Sequence, residues 1–506
     1  MKYLFLFISL LISVQLSAGY QIERIDTPKG VDAQIGGMAF MPDGRLAVSF
    51  NYGKIFTYNP IIKEWKLFAE GLHLPLGMLA INNHELMVMQ RPELTRVIDS
   101  NKDGKADTYL KFNDDFGLSG NYHEFNFGPV QDSDGNFYIG LNVASNNGGI
   151  LAEPRGKFLS YDIEKKNLEG KYNQKLVKKT VTRMYSCVPY RGWIMKIDSK
   201  GNATPYASGV RSPNGLGFDH KGRLFVSDNQ GDWLGTSKLH HIREGAFHGH
   251  PASLIWKKNW TKDPKKIPVK ELDEMRQPAA ALFPQGILAN SPTQPLLDDT
   301  KGKFGPFSNQ LFVGEMNLKR LLRFIPDEVN GTVQGTLIPF LDGNDLGNGN
   351  NRLAFDKDGA LWVGKTHLSW AGDEGIKKIT WDGKTDFDVL SVKQIPNGFR
   401  INFTQKLDEK TASEASNYLV KKYRFDYNSK YGSPRKNETK LKPSKISISQ
   451  DGMSLEITFP ELSQGHVYQF ELDKLKSAKG QNLASALFCY NLIKKHSHPI
   501  RNYNLD

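Results

Sequence analysis

Cysteine is almost absent from this chain: Cys187 and Cys489 are the only two in 506 residues. An extended disulfide framework is therefore excluded, and the fold must rest on its cores. Spacing alone leaves open whether the two pair. No CxxCH run occurs, which excludes a covalently attached c-type haem, and no lipobox cysteine follows the amino terminus. Long apolar runs are equally scarce. The one present lies in Met1 to Gly19, where a lysine precedes about a dozen apolar residues and then Ser17, Ala18 and Gly19. That order reads as a secretory signal peptide. The run is short for a membrane span, so the expectation is an exported protein with no membrane span, periplasmic or secreted after cleavage near Gly19 or Tyr20. A concentrated basic face is missing too. The net charge is +12, but the lysines are scattered, and with an exported destination nucleic acid is not an expected partner. Part of the excess sits in Lys421 to Lys445, which reads as a solvated loop between strands.

What the chain does contain is repetition. GMAFMPDGRLAVSF from Gly37, GMLAINNHELMVMQ from Gly77, FNFGPVQDSDGNFYIGLN from Phe125, GLGFDHKGRLFVSD from Gly215, GPFSNQLFVGEM from Gly305 and RLAFDKDGALWVGKT from Arg352 each read as apolar strand, polar turn, apolar strand. Irregular spacing suits four-stranded blades of about 40 to 50 residues that carry insertions. The fold class expected is all-β, a six-bladed β-propeller over 20–385 after the signal peptide 1–19. The alternative is a sandwich or two smaller sheet domains. Trp256 to Thr300, rich in Lys and Pro, lacks the repeat and reads as an insertion over one face. From Asp386 the pattern changes to GFRINFTQKLDEKTA, KISISQDGMSLEITF and GHVYQFELDKL, which predicts a C-terminal Ig-like or fibronectin-like β-sandwich over 386–506.

Three stretches carry candidate chemistry. DSNKDGKAD places oxygens at Asp99, Asn101, Asp103 and Asp107, with the Lys105 carbonyl between them and Gly104 at the sharp turn. That is the spacing of a Ca²⁺ loop, although Leu110 stands where a helical EF-hand has its bidentate Glu. An acidic turn closed by Asx hydrogen bonds is the other reading. His123 enters the third repeat from its loop, where an imidazole suits proton abstraction near neutral pH. Arg211 to Pro251 joins the fourth repeat to DNQGDW, which crowds Asp228, Asn229, Gln230 and Asp232 around Gly231, and then to His240, His241, His248 and His250. Oxygens in that number suit a cation or polar ligand, and the histidines raise the question of a transition metal.

The run from GNYHEFNFGPVQDSDGNFYIG through RSPNGLGFD to DNQGDW and GAFHGHP resembles the glucose/sorbosone dehydrogenase superfamily of six-bladed propellers. It is most similar to exported members in which RSPNG is followed by DNQGDW, and the likeness covers about Ile35 to Thr380. The resemblance implies quinoprotein chemistry, in which pyrroloquinoline quinone (PQQ) lies across the propeller axis, Ca²⁺ polarises it, and a sugar or related alcohol is oxidised, with cytochrome c as a candidate electron acceptor. It implies His123 as general base and Arg211 at the quinone oxygens. Gln230 and Gly231 would reach cofactor and Ca²⁺, and Lys319 and Arg352 would neutralise the cofactor carboxylates.

The sequence departs from that family at informative places. Ser212 replaces the asparagine that follows the arginine, Asp232 replaces a proline, and Arg352 stands alone where an arginine pair is usual. Asp228 and Asp232 offer a carboxylate-rich Ca²⁺ site instead, with the Gly231 carbonyl. Two further readings stay open: a metal-assisted carbohydrate hydrolase or lyase, and a non-catalytic carbohydrate-binding propeller.

Overall fold

The computed structural model describes residues 19–151, 153–161, 164, 174–343, 345–367 and 372–496. Of the run read as a signal peptide, 1–19, residues 1–18 lie outside the described residues. Among those described, no helix is long and apolar enough to cross a membrane.

Six four-stranded antiparallel units follow one another around an axis. Their first strands are Ile35–Phe40, Met78–Asn82, Asn126–Gln131, Pro213–Phe218, Pro292–Leu297 and Asn350–Phe355, and these touch in cyclic order, the sixth returning to the first. This is a six-bladed propeller. Its ring is closed by Tyr20–Ile25, which pairs antiparallel with Gly375–Trp381 as the fourth strand of blade 6. The second strands, such as Leu46–Phe50 and Leu224–Asp228, are buried throughout, because each blade packs between two others.

The repeated hairpin has a physical cause. Asp132, Asp219 and Asp356 each fold back on their turn: Asp219 Oδ1 accepts the N–H groups of Lys221 and Arg223 at 3.0 and 2.9 Å, and Asp356 Oδ1 those of Asp358 and Ala360 at 3.0 and 2.8 Å. Gly135, Gly222 and Gly359 then take the left-handed conformation that ends the turn.

One blade is not where the periodicity put it. The inner strand of blade 5 is Pro292–Leu297, and residues 305–310 lie outside the strands; the segment read as an insertion therefore supplies both this strand and Ala281–Phe283, the outer strand of blade 4. Pro292 and Pro295 hid it. A register irregularity between them lets the prolines sit in a paired strand.

Beyond Trp381 the chain forms two further layers. Val389–Ile395, Gly398–Phe403, Ser454–Thr458 and Lys445–Ile448 make one sheet. The other, in the order Leu487–Leu492, His466–Glu471, Leu419–Arg424, Lys436–Leu441, is not separate, because Leu487–Leu492 pairs with Thr332–Phe340 of blade 5 and yields one eight-stranded sheet. The module's core of Phe399, Tyr468, Phe470 and Tyr490 continues into Ile325 and Ile338 of that blade. Buried Arg323 of blade 5 donates to Asp388 Oδ2 at 2.8 Å and fastens the first layer as well. Cys187 and Cys489 are both free thiols in separate buried clusters.

The propeller axis is held by Arg352. Its guanidinium donates to the carbonyls of Gly36, Leu76, Asn214 and Asn351 at 2.9 to 3.0 Å and lies 5.3 Å from the Phe127 ring centroid. Blades 1, 2, 3, 4 and 6 therefore meet on one side chain. Burial, with no carboxylate to oppose it, pushes its pKa down to about 9. Arg352→Met keeps the bulk and removes every donor, leaving four carbonyls orphaned. Chemical denaturation is expected to register a loss of more than about 3 kcal/mol; a loss under about 1 kcal/mol would mean the carbonyls find other partners.

Candidate active site

His123 is placed by a loop that is rigid for electrostatic reasons. The buried Asn121 accepts the His123 N–H at 3.0 Å and the Ser145 N–H at 3.1 Å through Oδ1, and donates to Ser145 O at 2.8 Å. Next to it, buried Glu124 accepts both the N–H and the hydroxyl of Ser119 at 2.7 Å. The imidazole Nδ1 lies 2.8 Å from the Val143 carbonyl, which can only accept. The proton therefore sits on Nδ1, and Nε2 carries the lone pair. Burial first, and then the Arg211 guanidinium, pushes the imidazole pKa down to about 3.

Arg211 begins the fourth blade. Its N–H and that of Ser212 are accepted by the two oxygens of Asp228 at 2.9 and 2.6 Å. Asp228 is wholly buried, with His240 Nε2 at 3.5 Å, so its carboxylate anchors the RSPNG turn and does not face a ligand space. Gly231 is required beside it: a Cβ there would lie 2.3 Å from Arg211 Nε. The guanidinium itself is buried, and among the described residues its Nε has no hydrogen-bond partner.

These groups meet. His123, Arg211 and Gln230 line one cavity of about 480 Å³ at the propeller axis. Its walls are aromatic at Tyr122, Phe125, Phe127 and Tyr431, and its polar lining is dominated by amides, among them Asn214, Asn229 and Asn290. The Oδ1 atoms of Asn214 and Asn229 are buried, with no hydrogen-bond partner among the described residues.

Other expected site residues are elsewhere. Lys319 is not among the residues lining the cavity, although Met316 of the same turn is. Arg352 lies on the axis, its donors engaged by carbonyls. The Gly231 carbonyl already accepts the N–H groups of Leu234 and Gly432 at 3.2 and 3.0 Å, which occupies both its lone pairs against a Ca²⁺ role. Asp232 pairs with His250, whose Nε2 is 3.5 Å from its Oδ2. His241 stacks on Phe225. In the acidic loop, Asp99 accepts from the N–H groups of Asp103 and Gly104, Asn101 from that of Asp103, Asp103 from that of Lys105, and Asp107 from Ser100 and Asn101, which is a hydrogen-bonded acidic turn. Among the described residues, no three His, Cys, Asp or Glu side chains gather in a way that could hold a metal ion.

Tyr431 was not anticipated. It belongs to the stretch read as a solvated loop, yet Gly432 and Ser433 donate to Gly231 O and Gly235 O at 3.0 and 2.8 Å, and Tyr427 Oη to Gly249 O at 2.6 Å. The signal was present: Phe425, Tyr427 and Tyr431 are more aromatic than a solvated loop needs.

Comparison with known proteins gives the following. A family model described as a domain of unknown function, DUF7133, matches residues 60–276. No curated protein matches the chain. Similar solved structures include an oxidoreductase described as a glucose dehydrogenase from Thermus thermophilus, 17% identical over 71% of this chain and 100% of that one, with a TM-score of 0.47. Another is the PQQ-bound form of an aldose sugar dehydrogenase from Streptomyces coelicolor, 16% identical over 72% and 99%, TM-score 0.47. A third is a calcium structure of a Trichoderma reesei carbohydrate-active enzyme of family AA12, 11% identical over 72% and 96%, TM-score 0.47.

The depressed His123 pKa has a testable sign. The folded state disfavours the imidazolium, so this group's contribution to stability is fully present above the unfolded value of about 6.5 and is lost as pH falls toward about 3. Heteronuclear NMR of histidine-labelled protein is expected to find His123 neutral, protonated on Nδ1, from about pH 8 down to about pH 5. A midpoint near 6.5 for this ring would contradict the geometry.

Proposed function

We propose that this protein is an exported oxidoreductase of quinoprotein type that oxidises a sugar or related alcohol, with His123 as general base. The observation that carries this reading is that His123, its Nδ1 proton engaged by Val143 and its Nε2 left with the lone pair, lines the same cavity as Arg211. A neutral imidazole with a fixed tautomer can take a hydroxyl proton at neutral pH, and a neighbouring guanidinium stabilises the oxygen that becomes negative. Export rests on the amino-terminal run, and the C-terminal module is read as Ig-like on its two strand orders.

The resemblance implies PQQ, and the cavity suits it in part. A buried guanidinium with an unpartnered Nε and aromatic walls fit a planar anionic ring, whereas the orphaned Oδ1 atoms of Asn214 and Asn229 accept only and call for donors such as hydroxyls. Arg211 would meet one carboxylate or quinone oxygen, and Gln230 with the neighbouring amides would meet the remainder. When bound, such a quinone would supply the two-electron acceptor for the hydride lost from the alcohol carbon. The calcium implied beside it does not fit, since the Gly231 carbonyl is occupied and Asp228 and Asp232 face different histidines. No step is assigned to that ion.

A second reading has its own observation. Arg211 is the one cation among the lining residues, and a wall of amides and aromatics suits a neutral polyol, as in a carbohydrate-binding propeller without redox chemistry.

Titrating the purified protein with PQQ and following dye reduction over a panel of sugars separates the two. Saturable binding is expected, with His123→Ala lowering kcat by about 10²- to 10⁴-fold while PQQ still binds. Arg211→Gln should weaken that binding. Absence of PQQ binding at micromolar concentration would sink the redox reading and leave the binding propeller.

A further inference from the structure

A second cavity, of about 430 Å³, shares none of the axial cavity's lining residues. Separate parts of the chain build it: Arg183 and Tyr185 from the segment between the blade 3 strands Phe137–Leu141 and Trp193–Ile197, Asp232 and Trp233 from the DNQGDW turn, His250, and Ser429 of the C-terminal module. Tyr431 stands between the two. Its ring centroid is 4.0 Å from Cζ of Arg183, on the second cavity, and 5.7 Å from Cζ of Arg211, on the axial one.

The polar groups of this cavity are incompletely satisfied. His250 is 1% exposed and Asp232 5%. His250 Nε2 faces Asp232 Oδ2 at 3.5 Å, while among the described residues His250 Nδ1 and Asp232 Oδ1 have no hydrogen-bond partner. Buried groups of this kind call for a ligand or ordered water. The chemistry required of a ligand is specific. Asp232 accepts, His250 with its Nε2 proton toward Asp232 accepts at Nδ1, and Arg183 donates, so the complement is a set of groups that both donate and accept, which is what adjacent hydroxyls do. The charged lining side chains are two of each sign, Asp232 and Asp263 against Arg183 and Lys265, which argues against a strongly charged ligand. Trp233, held at a left-handed φ of 63° and packed 5.3 Å from Tyr427, adds the aromatic surface that suits the C–H face of a sugar ring. A metal ion is not supported, because no three ligating side chains gather here among the described residues.

We infer that this cavity is a second sugar-ring site, and that the molecule recognised is an oligosaccharide with its end ring beside His123 and a further ring between Asp232, His250 and Arg183. The placement of the end ring rests on the reading of the axial cavity given above; the second site stands on its own residues.

Calorimetry on the full chain without quinone tests the inference, using glucose, xylose and N-acetylglucosamine against maltotriose, cellotriose, xylotriose and chitotriose. At least one trisaccharide is expected to bind about tenfold or more tightly than its own monosaccharide. His250→Gln should bring that ratio toward one. Arg183→Gln should do the same, and its exposed position keeps the test open where the buried histidine variant fails to fold. Equal affinities for trisaccharide and monosaccharide, no binding of any saccharide, or a ratio unmoved by Arg183→Gln would overturn the inference. A persistent length preference in protein that reduces no dye would overturn the redox reading alone.

Discussion

A single guanidinium on the propeller axis determines where everything else can be. Arg352 donates to carbonyls from four blades and packs on Phe127 of another, so the inner strands cannot separate without stranding a buried charge. Glycines let those strands come close: a Cβ on Gly77 would lie 1.9 Å from Gly128 O. Phe127 and Asn214 touch Arg352 and also line the cavity. The site thus lies directly against the layer that holds the blades together.

Upon that layer the functional groups are positioned by one another. The Asp228 carboxylate fixes the turn that carries Arg211, Gly231 makes room for its side chain, and Val143 orients His123. The C-terminal module is part of this arrangement as well. It shares a sheet with blade 5 and returns Tyr431 to the cavity from the other side of the sequence. A change in that module is therefore a change in the site.

Much of the architecture was legible because Asp–Gly turns and alternating strands are local features, repeated at Asp132, Asp219 and Asp356. Blade 5 was displaced because Pro292 and Pro295 contradict the local signal of a strand, and only the neighbouring strands restore it. Sequence motifs pointed to His123, Arg211 and Gln230, and the structure brings these to one cavity. They could not tell that Arg352 serves the axis, that the Gly231 carbonyl is occupied by Gly432, or that Asp228 and Asp232 face opposite partners. Each of those facts depends on side-chain direction or on a contact distant in sequence. The aromatic residues around Tyr431 hinted that its loop is not solvated, but its place at the cavity depends on contacts of the same distant kind.

The most direct measurement is a crystal structure of the protein soaked with PQQ and a sugar. The account predicts a planar ring against Arg211 and Gln230, with a sugar hydroxyl within hydrogen-bond reach of His123 Nε2. A ligand bound away from the axis, or a sugar whose hydroxyls all lie out of reach of that nitrogen, would contradict it.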